Sequence, residues 1–286
     1  MSFLPLTYEC NQRCIFCSAP HDGGRFALRQ WLEDADKLKC GALVQLSGGE
    51  PFTLPPLELL ALLKHCAARG LRVEFQSNGT PISSVDDKLL KAIVSLVNST
   101  GGYFNVNTPA HSAALDFKIT GLKDGFAKRI KGIEMLVSCG AKVRLTHVVL
   151  KTNMASAEDF VKFAVQKLPN IEWVQFSFVK AFGSASGKKE IVPSYEAAAP
   201  QLQKAFALAT KLKLNFDFDH IPPCYLAAFA KKHVDWNKIP SGAPGPHIKE
   251  KTKTAACKGC AFFCNCAGAR KDYLEIYRDW SPPRVA

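Results

Sequence analysis

The sequence predicts an α/β fold, an open barrel of six βα units followed by a small cysteine-rich appendage. Three observations predict it: strand-like and helix-like stretches alternate from the start of the chain, each helix-like stretch is long enough to return the chain for parallel pairing, and the rhythm changes beyond Phe178 until, from Pro222 onward, proline, glycine, lysine and cysteine dominate. Phe3 to Tyr8 and Ala42 to Leu46 read as strands, with Leu28 to Lys39 as the helix between them. The rhythm continues with Leu57 to Ala68 as helix, Leu71 to Gln76 as strand, Asp86 to Val97 as helix and Tyr103 to Asn107 as strand. Asp124 to Val137 then leads as a basic helix into the strand Lys142 to Leu150, and Ala157 to Lys167 into the strand Ile171 to Phe176. Gly183 to Gly187 is a small-residue loop, Tyr195 to Leu212 another helix, and Leu214 to Phe218 a short strand. The expected division is a barrel core over 1–190, a linking helix and strand over 191–220, and a cysteine-rich region over 221–286.

With 47% hydrophobic residues in 286, the chain can bury a substantial core. Eleven cysteines would suggest disulfides, but no basic segment followed by an apolar signal core opens the chain, and eight of the eleven fall in two terminal clusters. Metal binding is therefore expected. No apolar run approaches the roughly 18 residues of a membrane span, since Lys37 to Pro56 is broken by glycines, Lys39 and Glu50. A cytoplasmic protein without a membrane partner is the expectation. Its formal net charge of +12 would attract an acidic substrate, with Lys123, Lys128, Arg129 and Lys131 as the candidate guides and ordinary solvated charge as the alternative. Without an arginine-rich arm or aromatic-basic interleaving, nucleic acid is not an expected partner.

In Cys10-Asn11-Gln12-Arg13-Cys14-Ile15-Phe16-Cys17 the thiols are separated by three and then two residues, directly after the first strand. Loop backbone can turn three such thiolates toward one cluster. A cubane has four irons, so three protein ligands leave one iron open to an exogenous ligand. Tetrahedral zinc with a fourth protein ligand is the alternative. Farther on, Ser47-Gly48-Gly49-Glu50-Pro51 follows the second strand, where small residues permit close backbone approach and a carboxylate can accept hydrogen bonds from an ammonium group.

On these residues the chain resembles the radical S-adenosylmethionine superfamily, over roughly Phe3 to Ala185. The resemblance implies a partial (β/α)6 TIM-like barrel in which Cys10, Cys14 and Cys17 hold a [4Fe-4S] cluster and S-adenosylmethionine binds the open iron through its amino and carboxylate groups. Reductive cleavage of the sulfonium C–S bond would then make a 5′-deoxyadenosyl radical. It further implies that Phe16 contacts adenine, plain packing being the alternative, and that Gly48, Gly49 and Glu50 receive the methionine amino group. Polar cofactor contacts are implied at the strand ends, at Ser77 and Asn78 before Gly79 and at Asn105 and Asn107, with Arg144 and His147 on the fifth strand as further candidates. Alternation puts Arg144 and Thr146 on one face and His147 on the other, so Arg144 and His147 are not both expected inside.

Cys257, Cys260, Cys264 and Cys266 lie within ten residues, and Cys224 precedes them in Ile221-Pro222-Pro223-Cys224. Five thiols exceed what one tetrahedral zinc requires, and one cubane could use four and leave one spare, or exchange a protein ligand for substrate. The segment resembles the auxiliary-cluster region of SPASM and shorter twitch-type radical enzymes. Cys257, Cys260 and Cys266 match CxxCxxxxxCxG, Cys224 is the implied upstream ligand, and Cys264 departs from the pattern. Because the chain ends 20 residues after Cys266 without another cysteine, one auxiliary [4Fe-4S] cluster is expected rather than two.

The resulting expectation is an enzyme that cleaves S-adenosylmethionine and abstracts hydrogen from a peptide or protein, maturing it by crosslinking, epimerisation or oxidation. An external electron donor such as flavodoxin or ferredoxin would be its partner. The alternatives are a radical enzyme of small-molecule or nucleotide-derived cofactor synthesis and a zinc-stabilised binding protein. No leader-binding domain is expected before Phe3, so peptide recognition would fall to the barrel rim, the appendage or a separate partner.

Overall fold

In the computed structural model, which describes residues 2–19, 24–242, 245–283 and 285, the alternation of the strands becomes two chemically distinct sheet faces. Two units make up the chain: Met1–Cys14 with Ala19–Thr146 and Leu168–Glu172, and Ile15–Ser18 with His147–Lys167 and Trp173–Ala286. The first unit runs β1 (Ser2–Thr7), α1 (Leu28–Asp36), β2 (Leu43–Gly48), α2 (Pro56–Ala68), β3 (Arg72–Ser77), α3 (Asp87–Ser99), β4 (Tyr103–Asn107), α4 (Ala113–Thr120), α5 (Gly125–Ser138) and the first residues of β5 (Val143–Val149).

The strands of this unit pair in parallel and in chain order. Their register aligns Leu4, Leu46, Phe75, Phe104 and Val143 in one apolar row. All five are buried, as are the facing Leu59, Leu62 and Leu63 of α2 and Leu90, Ile93 and Val97 of α3. Each fully buried side chain of this size contributes roughly 1.5–3 kcal/mol. The opposite face is polar: Gln45 aligns with Glu74 and Tyr103, and Gln76 with Asn105 and Arg144. α3 begins where the Asp86 carboxylate accepts from Lys88 N and Leu89 N at 3.0 and 3.1 Å, a side-chain cap for two otherwise orphaned donors. α4 was not anticipated; it ends at Gly121, whose φ of +72° closes the helix in the left-handed conformation.

One member of the expected basic surface group is misplaced by the sequence reading. Lys123, Lys128 and Lys131 are exposed, but Arg129 faces inward and is fully buried. Its Nε donates to Asn78 O at 2.9 Å and its Nη1 pairs with the buried Asp116 carboxylate. Removing one partner of such a pair strands the other charge without water. Arg129→Met is therefore expected to destabilise the folded chain by about 3–5 kcal/mol, read as a lowered urea midpoint, while Lys128→Met changes it by less than about 0.5 kcal/mol.

The second unit contains α6 (Ala157–Lys167), β6 (Trp173–Phe178), α7 (Tyr195–Lys211), β7 (Phe216–Asp219), a short antiparallel pair β8 (Lys251–Thr252) and β9 (Ala269–Arg270), and α8 (Lys271–Ile276). β7 pairs in parallel with β6, Val174 beside Phe216 and Phe176 beside Phe218, so the short strand expected after the sixth unit continues the parallel rhythm. An aromatic core holds this half, with ring centroids 5.1 Å apart for Phe176 and Phe206 and 4.7 Å for Phe206 and Phe216. His147 belongs to that core, its ring stacked on Phe160 at 3.9 Å. Among the described residues, no helix is long and apolar enough to cross a membrane.

Candidate active site

The segment from Tyr8 to Ala19 has no helix or strand, which lets its backbone turn the cysteine side chains independently. All three of its thiols are partly buried. Cys10 Sγ accepts from Gln12 N at 3.5 Å, and Cys14 Sγ lies 3.3 Å from Gln12 Oε1. Arg13 fastens the loop, its Nη1 donating to Cys10 O at 2.8 Å and its N to Thr120 O at 2.9 Å. In the second unit Cys17 O accepts from Ser184 N at 2.8 Å; a Cβ at Gly183 would lie 2.4 Å from that oxygen, so only glycine permits the approach. Phe16 is partly buried. Three thiols on one loop, with N–H donors at the Cys10 sulfur, suit ligation of a metal cluster as thiolates.

Gly48 and Gly49 admit backbone, at the very place where the cysteine loop leaves β1. A Cβ at Gly48 would lie 2.1 Å from Thr7 O, and one at Gly49 2.0 Å from Glu9 O. Glu50 N donates to Glu9 O at 2.8 Å. The Glu50 carboxylate is fully buried: Oε1 accepts from Ser77 Oγ at 2.9 Å and Phe52 N at 3.1 Å, and Oε2 from Asn78 N at 2.6 Å. Glu50 thus ties the end of β2 to the end of β3. Burial pushes its carboxyl up from 4.5 to about 7, against the opposing bonds from Asn78, Phe52 and Ser77. Between these values the folded chain keeps a proton that the unfolded chain has lost. The stabilising contribution is therefore present below about pH 4.5 and is lost as pH rises to about 7, with a scale on the order of 3 kcal/mol. Urea unfolding of metal-free protein at pH 5 and pH 8 is expected to show this loss in the wild type and not in Glu50→Gln.

The polar face of the strands converges on Glu74. Its carboxylate accepts from Gln45 Nε2 at 3.1 Å, Gln76 Nε2 at 2.9 Å, Tyr103 Oη at 2.7 Å and Asn105 Nδ2 at 2.9 Å, and pairs with Arg144. Burial pushes this carboxyl up, but the Arg144 charge and the bonds from Tyr103, Gln76 and Gln45 outweigh it, so the net shift is downward. The Arg144 guanidinium also lies over the Tyr103 ring, 5.2 Å from its centroid. Asn105 Oδ1 accepts from Thr146 Oγ1 at 2.7 Å. Asn107 differs, because its buried Oδ1 has no hydrogen-bond partner among the described residues and can accept from an incoming donor.

In the second unit, Cys224, Cys257, Cys260 and Cys266 line one cavity, walled by Phe262, Phe263 and Trp280. Cys264 is exposed and does not line it. Burial, with the neighbouring Cys266, Cys260 and Cys257 thiols, pushes the Cys224 thiol up to about 12. Four partly buried thiols lining one cavity are a donor set that fits a thiolate-bound cluster. A separate buried trio, Asp219, His233 and Asp235, has metal-ligand chemistry, but Lys251 Nζ donates to Asp219 at 2.7 Å and to Asp235 at 2.6 Å and supplies the cation itself.

Residues 4–164, more than half of the 286, match the family model of the Radical SAM superfamily. The chain belongs to the radical SAM superfamily. A probable GTP 3′,8-cyclase of Thermococcus kodakarensis is 30% identical over 174 residues, 57% of this chain and 52% of that protein. A PqqA peptide cyclase of Ruegeria pomeroyi is 24% identical over 235 residues, 79% of this chain and 60% of that protein. The chain thus spans between half and two thirds of the length of these curated relatives. Streptococcus suis SuiB bound to the precursor peptide SuiA shares the fold with a TM-score of 0.65 at 14% identity, over 99% of this chain and 74% of that one.

Membership implies a [4Fe-4S] cluster and S-adenosylmethionine, and the fold is the α/β partial barrel with its cysteine-rich C-terminal region. Several polar residues of this radical SAM chain escaped the sequence reading. Asn11 and Thr80 bond to Asn78, and Glu74 organises the polar sheet face. Glu74 carried a signal, a charge between Val73 and Phe75 in a strand. Lys180, two residues beyond β6 and between Val179 and Ala181, is a further such charge: its Nζ lies 3.4 Å from His247 Nδ1, and burial lowers its ammonium below the ordinary lysine range.

Proposed function

We propose that the chain is a radical SAM enzyme acting on a peptide or protein, with Cys10, Cys14 and Cys17 holding the cleavage cluster and Cys224, Cys257, Cys260 and Cys266 holding one auxiliary [4Fe-4S] cluster. When bound, the cleavage cluster and S-adenosylmethionine supply one-electron scission of the sulfonium C–S bond and the hydrogen-atom abstraction that follows. The chain's own residues hold and orient these groups. Gln12 N and Asn78 Nδ2 face Cys10 Sγ, Asn107 Oδ1 presents an acceptor, and Arg144 is held by Glu74 on the polar sheet face. The observation that carries the reading is the cavity of four thiols outside the region that the family model covers.

Similarity reaching beyond that shared region supports a peptide substrate. The peptide cyclase matches 79% of this chain, whereas the archaeal GTP cyclase matches 57%. That 30% identity favours the second reading, a nucleotide-derived substrate. On the peptide reading, 1–190 forms the catalytic core, 191–220 the link and 221–286 the auxiliary region, in a cytoplasmic enzyme fed by a flavodoxin or ferredoxin. Lys123, Lys128 and Lys131 are exposed cations available to guide an acidic substrate.

The test is anaerobic incubation of reconstituted protein with S-adenosylmethionine, dithionite and a peptide pool, followed by untargeted mass spectrometry. A peptide product lighter by about two hydrogens, or one that takes up solvent deuterium at unchanged composition, is expected. Turnover of GTP with no peptide product would establish the second reading instead, and stoichiometric zinc without acid-labile sulfide would remove both.

A further inference from the structure

We propose that Asn78 is a positioning residue for the cleavage cluster: its side-chain amide donates to the Cys10 sulfur and sets the cluster's reduction potential, and it makes no contact with S-adenosylmethionine. The inference rests on the assignment of Cys10 as a cluster ligand.

The orientation of the amide is decided by its neighbours. Thr80 N lies 2.9 Å from Asn78 Oδ1, and a backbone N–H can only donate, so the oxygen must face it. Thr80 Oγ1, at 2.6 Å, supplies a second donor to the same oxygen. Nδ2 is thereby turned toward the cysteine loop. One of its hydrogens meets Asn11 Oδ1 at 2.8 Å, and Asn11 Nδ2 in turn donates to Thr80 Oγ1 at 2.8 Å. The other points at Cys10 Sγ, 3.8 Å from the nitrogen. Two lone pairs and two hydrogens are the whole capacity of an asparagine side chain, and all four are used inside the protein.

The backbone of Asn78 is equally committed. Its N–H donates to Glu50 Oε2 at 2.6 Å, and its carbonyl accepts from Arg129 Nε at 2.9 Å, with Arg129 held by Asp116. The next residue, Gly79, has a φ of +79° and lies where a Cβ would meet Val106 Cγ1 at 2.8 Å. With 9% of its surface exposed, Asn78 has neither a spare donor nor room to turn.

Cys10 Sγ also accepts from Gln12 N at 3.5 Å, so two N–H dipoles point at one sulfur. Donors to a ligating thiolate stabilise the more negative, reduced cluster, and their loss lowers the potential. Asn78 is thus placed to ease reduction of the cleavage cluster.

The test uses the full reconstituted chain and follows the reduced-cluster EPR signal that changes when S-adenosylmethionine is added. That change in wild-type protein establishes the cleavage cluster, and its absence would refute the Cys10 assignment, separately from the role of Asn78. In Asn78→Ala the midpoint potential of this signal is expected to fall and 5′-deoxyadenosine formation with reduced flavodoxin to drop roughly tenfold. S-adenosylmethionine affinity should stay within about twofold. Asn11→Ala, which leaves the Thr80 anchors and the sulfur contact in place, should keep the wild-type potential. Should Asn78→Ala not assemble a cluster, the isosteric Asn78→Asp is expected to shift the potential further in the same direction. An unchanged potential in the assembled Asn78 variant overturns the proposal. So does a fall of equal size in Asn11→Ala, because a loosened loop rather than the N–H donor would then be responsible.

Discussion

Cys14→Ala protein, reconstituted anaerobically and reduced with dithionite, is expected to form no 5′-deoxyadenosine above the level of metal-free chain. Three thiolates are the fewest that hold a cubane with one iron free for S-adenosylmethionine, so two cannot keep the open site defined. Cys14 sits in the middle of the loop, with Gln12 Oε1 3.3 Å from its sulfur and the preceding Arg13 fastened to Cys10 O and Thr120 O. That loop is held mainly by backbone and arginine bonds that the substitution leaves intact, so the chain should fold and the loss should be chemical. Iron analysis separates the two outcomes. About four irons should remain in Cys14→Ala against about eight in wild type, all of them in the auxiliary region. Undiminished cleavage in protein free of wild-type enzyme would remove Cys14 from the ligand set.

Much of this arrangement was legible because it is local. Spacing along the chain kept Cys10, Cys14 and Cys17 within one short loop, and period-two alternation separated Arg144 and Thr146 from His147. The sheet bears this out, with Arg144 on Glu74 and Thr146 on Asn105 while His147 stacks on Phe160. What escaped the reading depends on partners distant in sequence. Arg129 looked like one more cation of a basic helix, and only Asp116 and the Asn78 carbonyl explain why it is buried. Glu50 and its glycines stood out as a ligand cradle. The backbone they meet belongs to Thr7 and Glu9, and the donors that occupy the carboxylate come from Phe52 and from the end of β3. Asn78 was expected at the cofactor because it ends a strand. The sequence reading did not show its companions, Asn11 and Thr80, which orient its amide toward the cysteine loop.

Replacing Cys224 or Cys264 by alanine is expected to give opposite results, although spacing alone left either thiol as the spare one of the five. Cys224 lies 33 residues before Cys257, yet lines the same cavity as Cys257, Cys260 and Cys266. Cys264, only two residues from Cys266, is exposed. The reason is visible in the short turns of this segment: Cys260 N donates to Cys257 O at 3.2 Å and Phe263 N to Cys260 O at 2.9 Å, while Asn265 N donates to Phe262 O at 3.0 Å. Gly268 N then bonds Cys266 Sγ at 3.2 Å, and at Gly268, with a φ of +90°, a Cβ would lie 1.9 Å from Thr252 O. This close approach fixes Cys266 against the β8–β9 pair. Burial raises the Cys266 thiol as it does that of Cys224, so ligation must release their protons and auxiliary-cluster assembly should increase with rising pH. Cys224→Ala is therefore expected to lose about four irons and four sulfides while keeping the EPR signal that responds to S-adenosylmethionine, and Cys264→Ala to keep about eight of each. Loss of four irons from Cys264→Ala together with full iron content in Cys224→Ala would reverse the assignment. A result in which every variant keeps about eight would mean that Cys264 and Cys224 substitute for one another, and that the cavity does not select its ligands.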